Sequence, residues 1–379
     1  MQLLILSCNT GEGHNSCAKA IAEYFTFNNA SCDIVDSFGF ISQKASQFIS
    51  DWHSKIYRHA PSAFSHGYKF AEEHSEFFDE DSTVYHFLTS GTTKLYNYLN
   101  TGNFDAILCT HVLTALQLSD VIKKYPLTLK TYFVATDYTC SPTCNLSNLD
   151  YYFIPHRSLL NDFIDLGIPK DKIICTGIPV RRIFYTTLEK AVAKQLCGIS
   201  PNHNHLLVMC GSMGCGPIEK ITEKLSASIS TNCAVSVVCG NNQKLYKKLS
   251  QIYEKNTQIH ILGYVKDMSL LMDSADLYLT KPGGLSTSEA AAKKLPMVFL
   301  NAVAGCESYN LRFFIEKGVA QTADTPEEVS ELCLLLLQDK KRRQNMSDAF
   351  FETFEQHASK NIYEIINSNI NQTQENMRK

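Results

Sequence analysis

Short apolar runs recur along the chain, each closed by polar or glycine-bearing residues. The intervals between them carry apolar positions three and four apart. Leu3–Leu6 is the first run, of strand length. Ala18, Ile21, Ala22 and Phe25 follow at i, i+3, i+4 and i+7, the stripe of an amphipathic helix. The alternation continues through CDIVDSF, FDAILCTH, LKTYFVATD, LDYYFIPH and KIICTGIPV. A second series begins at HLLVMCGSMGCG and runs through CAVSVVCG, QIHILGYV, ADLYLTKPGG, LPMVFLN and GVAQTA. Each series predicts a parallel sheet wrapped by helices. The polar stretch KQLCGISPNHNH, residues 194–205, separates them and puts a boundary near residues 185–200. From Thr325 onward the pattern is helical, with no further strand.

Bulk properties narrow the class. At 379 residues the chain exceeds one ordinary core, so two domains are expected. With 44% hydrophobic and 19% charged residues it is a folded protein. A net charge of −3 gives no basic field to recruit nucleic acid. The 14 cysteines form no C-x-x-C pair, Cys140 and Cys144 being the nearest approach, so reduced thiols in a cytosol are expected. The opening apolar run is short for a signal peptide, and no run of about 20 apolar residues suits a membrane span.

Residues 38–75 break the rhythm. Phe48, Ile49, Trp52 and Ile56 fall at helical spacing, and the span from Lys44 to Lys69 carries Lys44, Lys55, Arg58 and Lys69 against a single acid, Asp51. A basic aromatic helix suits an anionic membrane face. The same pattern also fits a helix packed on its own domain with a solvated outer face.

Three glycine-bearing turns carry candidate chemistry. In NTGEGHNS, Gly11 and Gly13 lead into a helix that opens near His14. A helix start presents unpaired N–H groups and a positive dipole end, which suit an anion or a base that stays neutral; a loop histidine capping the helix is the alternative. Gly211, Gly214 and Gly216 follow the run LLVM and read as a phosphate-cradling loop or a plain turn. In TKPGGLSTSEAAAKKLP, Ser286 and Glu289 have capping-box spacing. Glu289 is then either a reciprocal cap or an acceptor for a vicinal diol such as a ribose.

The ordered set TGEGH, TDY, TGIPVRRIF, the Gly211 loop, TKPGGLSTSEA and GCESYN resembles the monogalactosyldiacylglycerol synthase and diacylglycerol glucosyltransferase family, over roughly residues 1–360. The resemblance implies an α/β GT-B fold of two Rossmann-like, doubly wound domains with the active site in an interdomain cleft. Residues 1–188 would be the acceptor and membrane-facing domain and 189–355 the donor domain. The tail 356–379 would pack back on the first. By the same resemblance, Gly211, Ser212 and Gly214 with Gly283, Gly284, Leu285, Ser286 and Thr287 would hold a UDP-sugar diphosphate. Glu289 would hold the ribose, and Tyr264 and Val265 the uracil. Arg181 would pair with phosphate, and Cys306 and Asn310 would read the sugar hydroxyls. His14 is the implied base, with Asp137 either orienting it or replacing it. Phe48, Trp52, Lys55 and Arg58 would meet the membrane.

The implied activity is transfer of a hexose from UDP-glucose or UDP-galactose to diacylglycerol, with inversion. Neither metal nor cofactor beyond the donor is expected, and the place is the cytoplasmic face of the cell membrane. Two departures bear on specificity. Relatives usually carry glutamine where Cys306 stands, and His and Trp where Ser141 and Cys144 stand. Transfer to another lipid carrier, epimerisation of UDP-N-acetylglucosamine and non-catalytic UDP-sugar binding are the rival readings.

Overall fold

The computed structural model describes residues 1–9, 12–59, 66–67, 69–70, 73–300, 305–355 and 357–378. Gly11, part of residues 60–72 and the side chain of Arg58 lie outside that description.

The apolar runs form strands and the striped intervals form helices. The first series gives β1 (Gln2–Ser7), α1 (Glu12–Phe27), β2 (Ser31–Asp36), α2 (Gln43–His59), α3 (Thr83–Thr89), α4 (Thr92–Thr101), β3 (Ala106–Cys109) and α5 (Val112–Lys124). It continues with β4 (Lys130–Val134), β5 (Tyr151–Ile154), α6 (Leu160–Asp165) and β6 (Ile173–Cys175). The second gives α7 (Lys190–Leu196), β7 (Asn204–Met209), α8 (Ile218–Ser228), β8 (Cys233–Val238), α9 (Gln243–Ile252), β9 (Ile259–Leu262), α10 (Met268–Ser274) and β10 (Leu277–Thr280). Then come α11 (Gly284–Ala292), β11 (Met297–Phe299), α12 (Cys306–Glu316), β12 (Ala320–Thr322), α13 (Pro326–Gln338), α14 (Lys340–Thr353) and α15 (Ala358–Arg378).

Two six-stranded sheets result, in the orders β2-β1-β3-β4-β5-β6 and β12-β11-β10-β7-β8-β9. Every pairing is parallel. The central strands β1, β3, β7 and β10 are buried nearly throughout, as parallel strands covered on both faces must be, whereas the edge strand β2 carries Asp33 and Asp36 and stays partly open. In each sheet the order reverses once, between β1 and β3 and between β7 and β10. Such switch points leave a crevice beyond the carboxyl ends of the strands, where ligands of doubly wound sheets bind.

The chain divides into two compact units. One comprises Met1–Arg182 with Glu355–Lys379, and the other most of the chain between Ile183 and Phe354. Entry into the second unit is firmly tied: Ser269 Oγ donates to the Ile183 carbonyl at 3.0 Å, and Lys293 Nζ reaches both the Thr186 carbonyl and the Asp273 carboxylate. Leu206, Val208, Val235, Val237, Leu277 and Leu279 form its sheet core, closed by Val329, Cys333 and Leu336 of α13. A capping box starts α13: Thr325 Oγ1 accepts the Glu328 amide and the Glu328 carboxylate accepts the Thr325 amide.

The first unit's core joins Leu3, Ile5, Leu108, Tyr132 and Phe153 to Ile21 and Phe25 of α1. It also takes in Ile362, Ile366 and Ile370 of α15, spaced i, i+4 and i+8. Burying each such side chain stabilises by about 1.5–3 kcal/mol, so the last helix is a structural member of the first unit. Among the described residues no helix is long and apolar enough to cross a membrane.

Candidate active site

In the first unit, three loops leaving adjacent strands converge on His14. The ring stands in the first turn of α1, just past β1, and is half-buried. Its Nδ1 lies 2.8 Å from the carbonyl of Thr110, at the end of β3, and 3.0 Å from Thr136 Oγ1, past the end of β4. A carbonyl only accepts, so Nδ1 carries the hydrogen and Nε2 the lone pair. Thr110 is itself fixed, its amide donating to the Leu6 carbonyl at 3.0 Å. Burial lowers the His14 pKa below the usual imidazole value, with the Thr110 hydrogen bond acting the other way. The positive end of α1 also disfavours a charged ring. Asp137 is the neighbour of Thr136 and is half-buried.

Sequence reasoning missed Thr110, His111 and Thr136. His111 meets His14 edge to face, with centroids 4.5 Å apart and planes at 75°. It caps α5, its Nδ1 accepting the Leu113 amide at 3.0 Å. The signal was present in CTHVLTAL, a histidine between an apolar run and a helical stripe, as in the His14 loop.

In the second unit, the candidate donor residues gather past the carboxyl ends of β7, β10 and β9. The Gly211–Gly216 loop folds tightly on itself and on the loop after β8. Gly214 N–H donates to the Gly211 carbonyl at 3.1 Å, Asn241 N–H to the Ser212 carbonyl at 2.8 Å, and Asn242 Nδ2 to the Gly214 carbonyl at 3.0 Å. Gly214 has φ +57°, and a Cβ there would stand 2.1 Å from the Cys239 carbonyl oxygen, so only glycine fits. Gly211 admits a different neighbour: the Lys281 stem lies over it, with Cε 2.8 Å from where a Cβ would be. Lys281 Nζ donates to Glu307 Oε1 at 3.0 Å. A cation therefore stands beside the glycine loop at the switch point of the second sheet, and neither Lys281 nor Glu307 was singled out from sequence.

The turn 281–284 opens α11 in an unexpected way. Its N-cap is Gly283, which offers no side-chain cap. Gly284 and Leu285 take the first two helical positions. Ser286 Oγ lies 3.4 Å from the Gly283 carbonyl, and Thr287 Oγ1 donates to the same carbonyl at 2.8 Å. The Ser286–Glu289 capping box does not form, because the helix starts two residues before Ser286. Glu289 then lies a turn and a half inside the helix, half-buried, and a cap no longer explains it. Its charge also contributes to raising the phenol pKa of the buried Tyr278 beneath it, after the larger effect of burial.

The remaining residues are placed as follows. Tyr264 is exposed and Val265 half-buried, in the loop past β9. Cys306 opens α12 and is half-buried. Asn310 is fully buried and donates from Nδ2 to the Pro282 carbonyl at 2.9 Å, so it ties α12 to the turn. Arg181 is half-buried near the end of the first unit's main segment. On α2, Phe48 and Trp52 are 66% and 59% exposed, and Lys44 and Lys55 are exposed beside them, while Ile49 packs inward against the Phe38 cluster.

Two doubly wound parallel sheets with the candidate loops at their switch points give a GT-B fold. Solved structures share it: MurG of Acinetobacter baumannii superposes with a TM-score of 0.65 at 13% identity, over 97% of this chain and 99% of that one. The UDP-GlcNAc 2-epimerase of Neisseria meningitidis gives 0.62 at 15% identity, over 97% of this chain and 100% of that one. At such identities the likeness speaks for the fold alone. Sequence relationships are narrower. The monogalactosyldiacylglycerol (MGDG) synthase model matches residues 14–180, and the glycosyltransferase family 28 C-terminal domain model matches residues 205–362. The processive diacylglycerol beta-glucosyltransferase of Staphylococcus carnosus is 27% identical over 353 residues, covering 92% of this chain and 87% of that protein. Its Staphylococcus aureus counterpart is 31% identical over 258 residues, covering 68% of this chain and 65% of that protein. The chain carries the MGDG-synthase domain followed by the glycosyltransferase family 28 C-terminal domain, and it is a glycosyltransferase.

Proposed function

We propose that the protein transfers a hexose from a UDP-sugar to the hydroxyl of diacylglycerol at an anionic membrane surface, inverting the anomeric centre. The names of its relatives favour UDP-glucose over UDP-galactose as donor. One observation carries the chemistry: the Thr110 carbonyl fixes the hydrogen on His14 Nδ1 and so presents Nε2 as a neutral base. A sugar transfer to a hydroxyl needs a base as the oxygen attacks. Thr136 holds the same ring edge, and Asp137 beside it is the alternative base.

The leaving UDP gains negative charge as the glycosidic bond breaks. The ammonium of Lys281, the amide-rich loop at Gly211–Gly214 and the N-terminus of α11 are suited to stabilise that charge, and Arg181 is a further candidate. Glu289, half-buried a turn and a half inside α11, is assigned to the ribose hydroxyls. The reaction so drawn uses no metal step. Cys306 replaces an amide with a thiol, a weaker hydrogen-bond partner for a sugar hydroxyl.

Diacylglycerol is costly to lift from a bilayer, at about 0.8 kcal/mol for each exposed CH₂. The exposed Phe48 and Trp52, flanked by Lys44 and Lys55 on α2, supply a face that would bring the enzyme to the lipid.

The test is a transfer assay with labelled UDP-glucose, UDP-galactose or UDP-N-acetylglucosamine and diacylglycerol vesicles. Labelled glycolipid should form, EDTA should leave the rate unaltered, and His14→Ala should lower turnover by about 10²–10⁴. The acid limb of the rate should fall below the usual imidazole value, because burial keeps the His14 pKa low. Absence of lipid product with all three donors, or full turnover by His14→Ala, overturns this reading or its base.

A further inference from the structure

The two histidines at the first sheet's switch point present opposite hydrogen-bonding characters. His14 gives its Nδ1 hydrogen to the Thr110 carbonyl, so its Nε2 accepts. His111 uses Nδ1 to accept the Leu113 amide hydrogen at 3.0 Å. In the neutral ring its hydrogen must then sit on Nε2, which donates. The loops that carry them leave neighbouring strands, β1 and β3, and the rings meet edge to face at 4.5 Å. Each ring is held by a backbone group, and His14 by Thr136 Oγ1 as well, so the pairing is built into the fold.

A hydroxyl donates one hydrogen and accepts through two lone pairs. An imidazole acceptor beside an imidazole donor is the complement of that group. We propose that His111 is the second contact of the acceptor hydroxyl: its Nε2–H donates to the hydroxyl oxygen while His14 Nε2 receives the hydroxyl proton. The inference rests on the reading of His14 as the base. In the step, a lone pair of the acceptor oxygen forms the bond to the anomeric carbon as the bond to UDP breaks with its electron pair leaving on UDP, while the O–H bond breaks, its proton going to His14 Nε2 and its electron pair staying on oxygen. The hydrogen bond from His111 stays in place and occupies one lone pair. This orients the other toward the donor. The role is one of positioning by direct contact, and it predicts an effect on the acceptor's KM as well as on turnover.

The experiment compares wild type, His14→Ala, His111→Asn and His111→Ser with UDP-glucose and diacylglycerol in mixed micelles. Asn and Ser are both strong N-caps and preserve the start of α5 without the ring. With either variant the melting temperature and UDP affinity should match wild type. The acceptor KM should rise about tenfold, the scale of one hydrogen bond, and turnover should fall. Unaltered acceptor kinetics in a folded His111→Asn or His111→Ser protein overturn the proposal. So does a fall in turnover at constant acceptor KM, which would mean that His111 acts only through His14. If His14→Ala keeps full turnover, the base reading fails instead, so the two failures are distinct.

Discussion

The ion pair between Lys281 and Glu307 allows the donor site to be tested by sign as well as size. Their side chains are 19% and 7% exposed, and the contact is 3.0 Å. Removing one member of a buried pair typically costs about 3–5 kcal/mol, because the other charge keeps its desolvation penalty. The partial exposure of Lys281 puts Glu307→Gln toward the lower end of that range. The two variants should differ once UDP is present. In Glu307→Gln the ammonium over Gly211 remains and has lost a competing carboxylate, so a diphosphate should bind as well as before or better. The rise in melting temperature on adding UDP should then exceed that of wild type. In Lys281→Met the stability also falls, since the buried Glu307 loses the Lys281 ammonium. UDP binding should weaken by roughly 1.5–3 kcal/mol, the scale of a charge-assisted hydrogen bond. Thermal melts with and without UDP, alongside calorimetric titration, give both quantities. Equal changes in UDP affinity for the two variants would refute the reasoning and reduce the pair to a brace between β10 and α12.

Three further outcomes are expected. Glu289→Ala should weaken UDP binding by roughly 1.5–3 kcal/mol in a calorimetric titration; a stability loss with intact UDP affinity would reverse the assignment. Trp52→Ala combined with Lys55→Glu should reduce co-sedimentation with phosphatidylglycerol vesicles and lipid glycosylation together, and the wild-type binding should weaken with salt; equal pelleting of the two proteins counts against α2 as the docking face. His205 is fully buried between Ser236 and Ser274, and burial lowers its pKa to about 4. The unfolded chain takes up that proton below the ordinary value of 6.5 while the folded one does not until about 4. Stability should therefore fall as pH drops across that window, by up to about 3 kcal/mol, and His205→Asn should flatten the pH dependence of the melting temperature.

Each of the twelve described strands corresponds to a run visible in the chain; in β1, β3 and β10 the run is nearly all apolar because the strand is covered on both faces, while β2, at the sheet edge, carries Asp33 and stays partly open. The helical tail from Thr325 was equally plain. Helix starts were harder to place. Ser286 and Glu289 have the spacing of a cap, yet the helix begins earlier at Gly284, while the true box sits at Thr325 and Glu328. Spacing cannot say which turn is the first one. His14 was conspicuous because glycines flag its loop, whereas Thr110, His111 and Thr136 come from loops of ordinary composition. They meet His14 only because β1, β3 and β4 lie side by side. The Lys281–Glu307 contact and the burial of Asn310 are likewise products of the turn's three-dimensional course, with 26 and 28 residues separating the partners.

The return of α15 to the first unit has a consequence for biosynthesis. Ile362, Ile366 and Ile370 complete a core whose other members come from the first 153 residues or are close to them in space. A nascent chain released up to Phe354 holds everything the second unit packs around, yet its first unit lacks those three side chains. The second unit can therefore close while the chain is still growing, and the first must wait for the final helix to leave the ribosome. During that interval the apolar surface beside α1 and the first sheet is uncovered and open to wrong partners. A chain cut after Phe354 would stay in that state, so the last helix decides when the half of the molecule carrying His14 finishes folding.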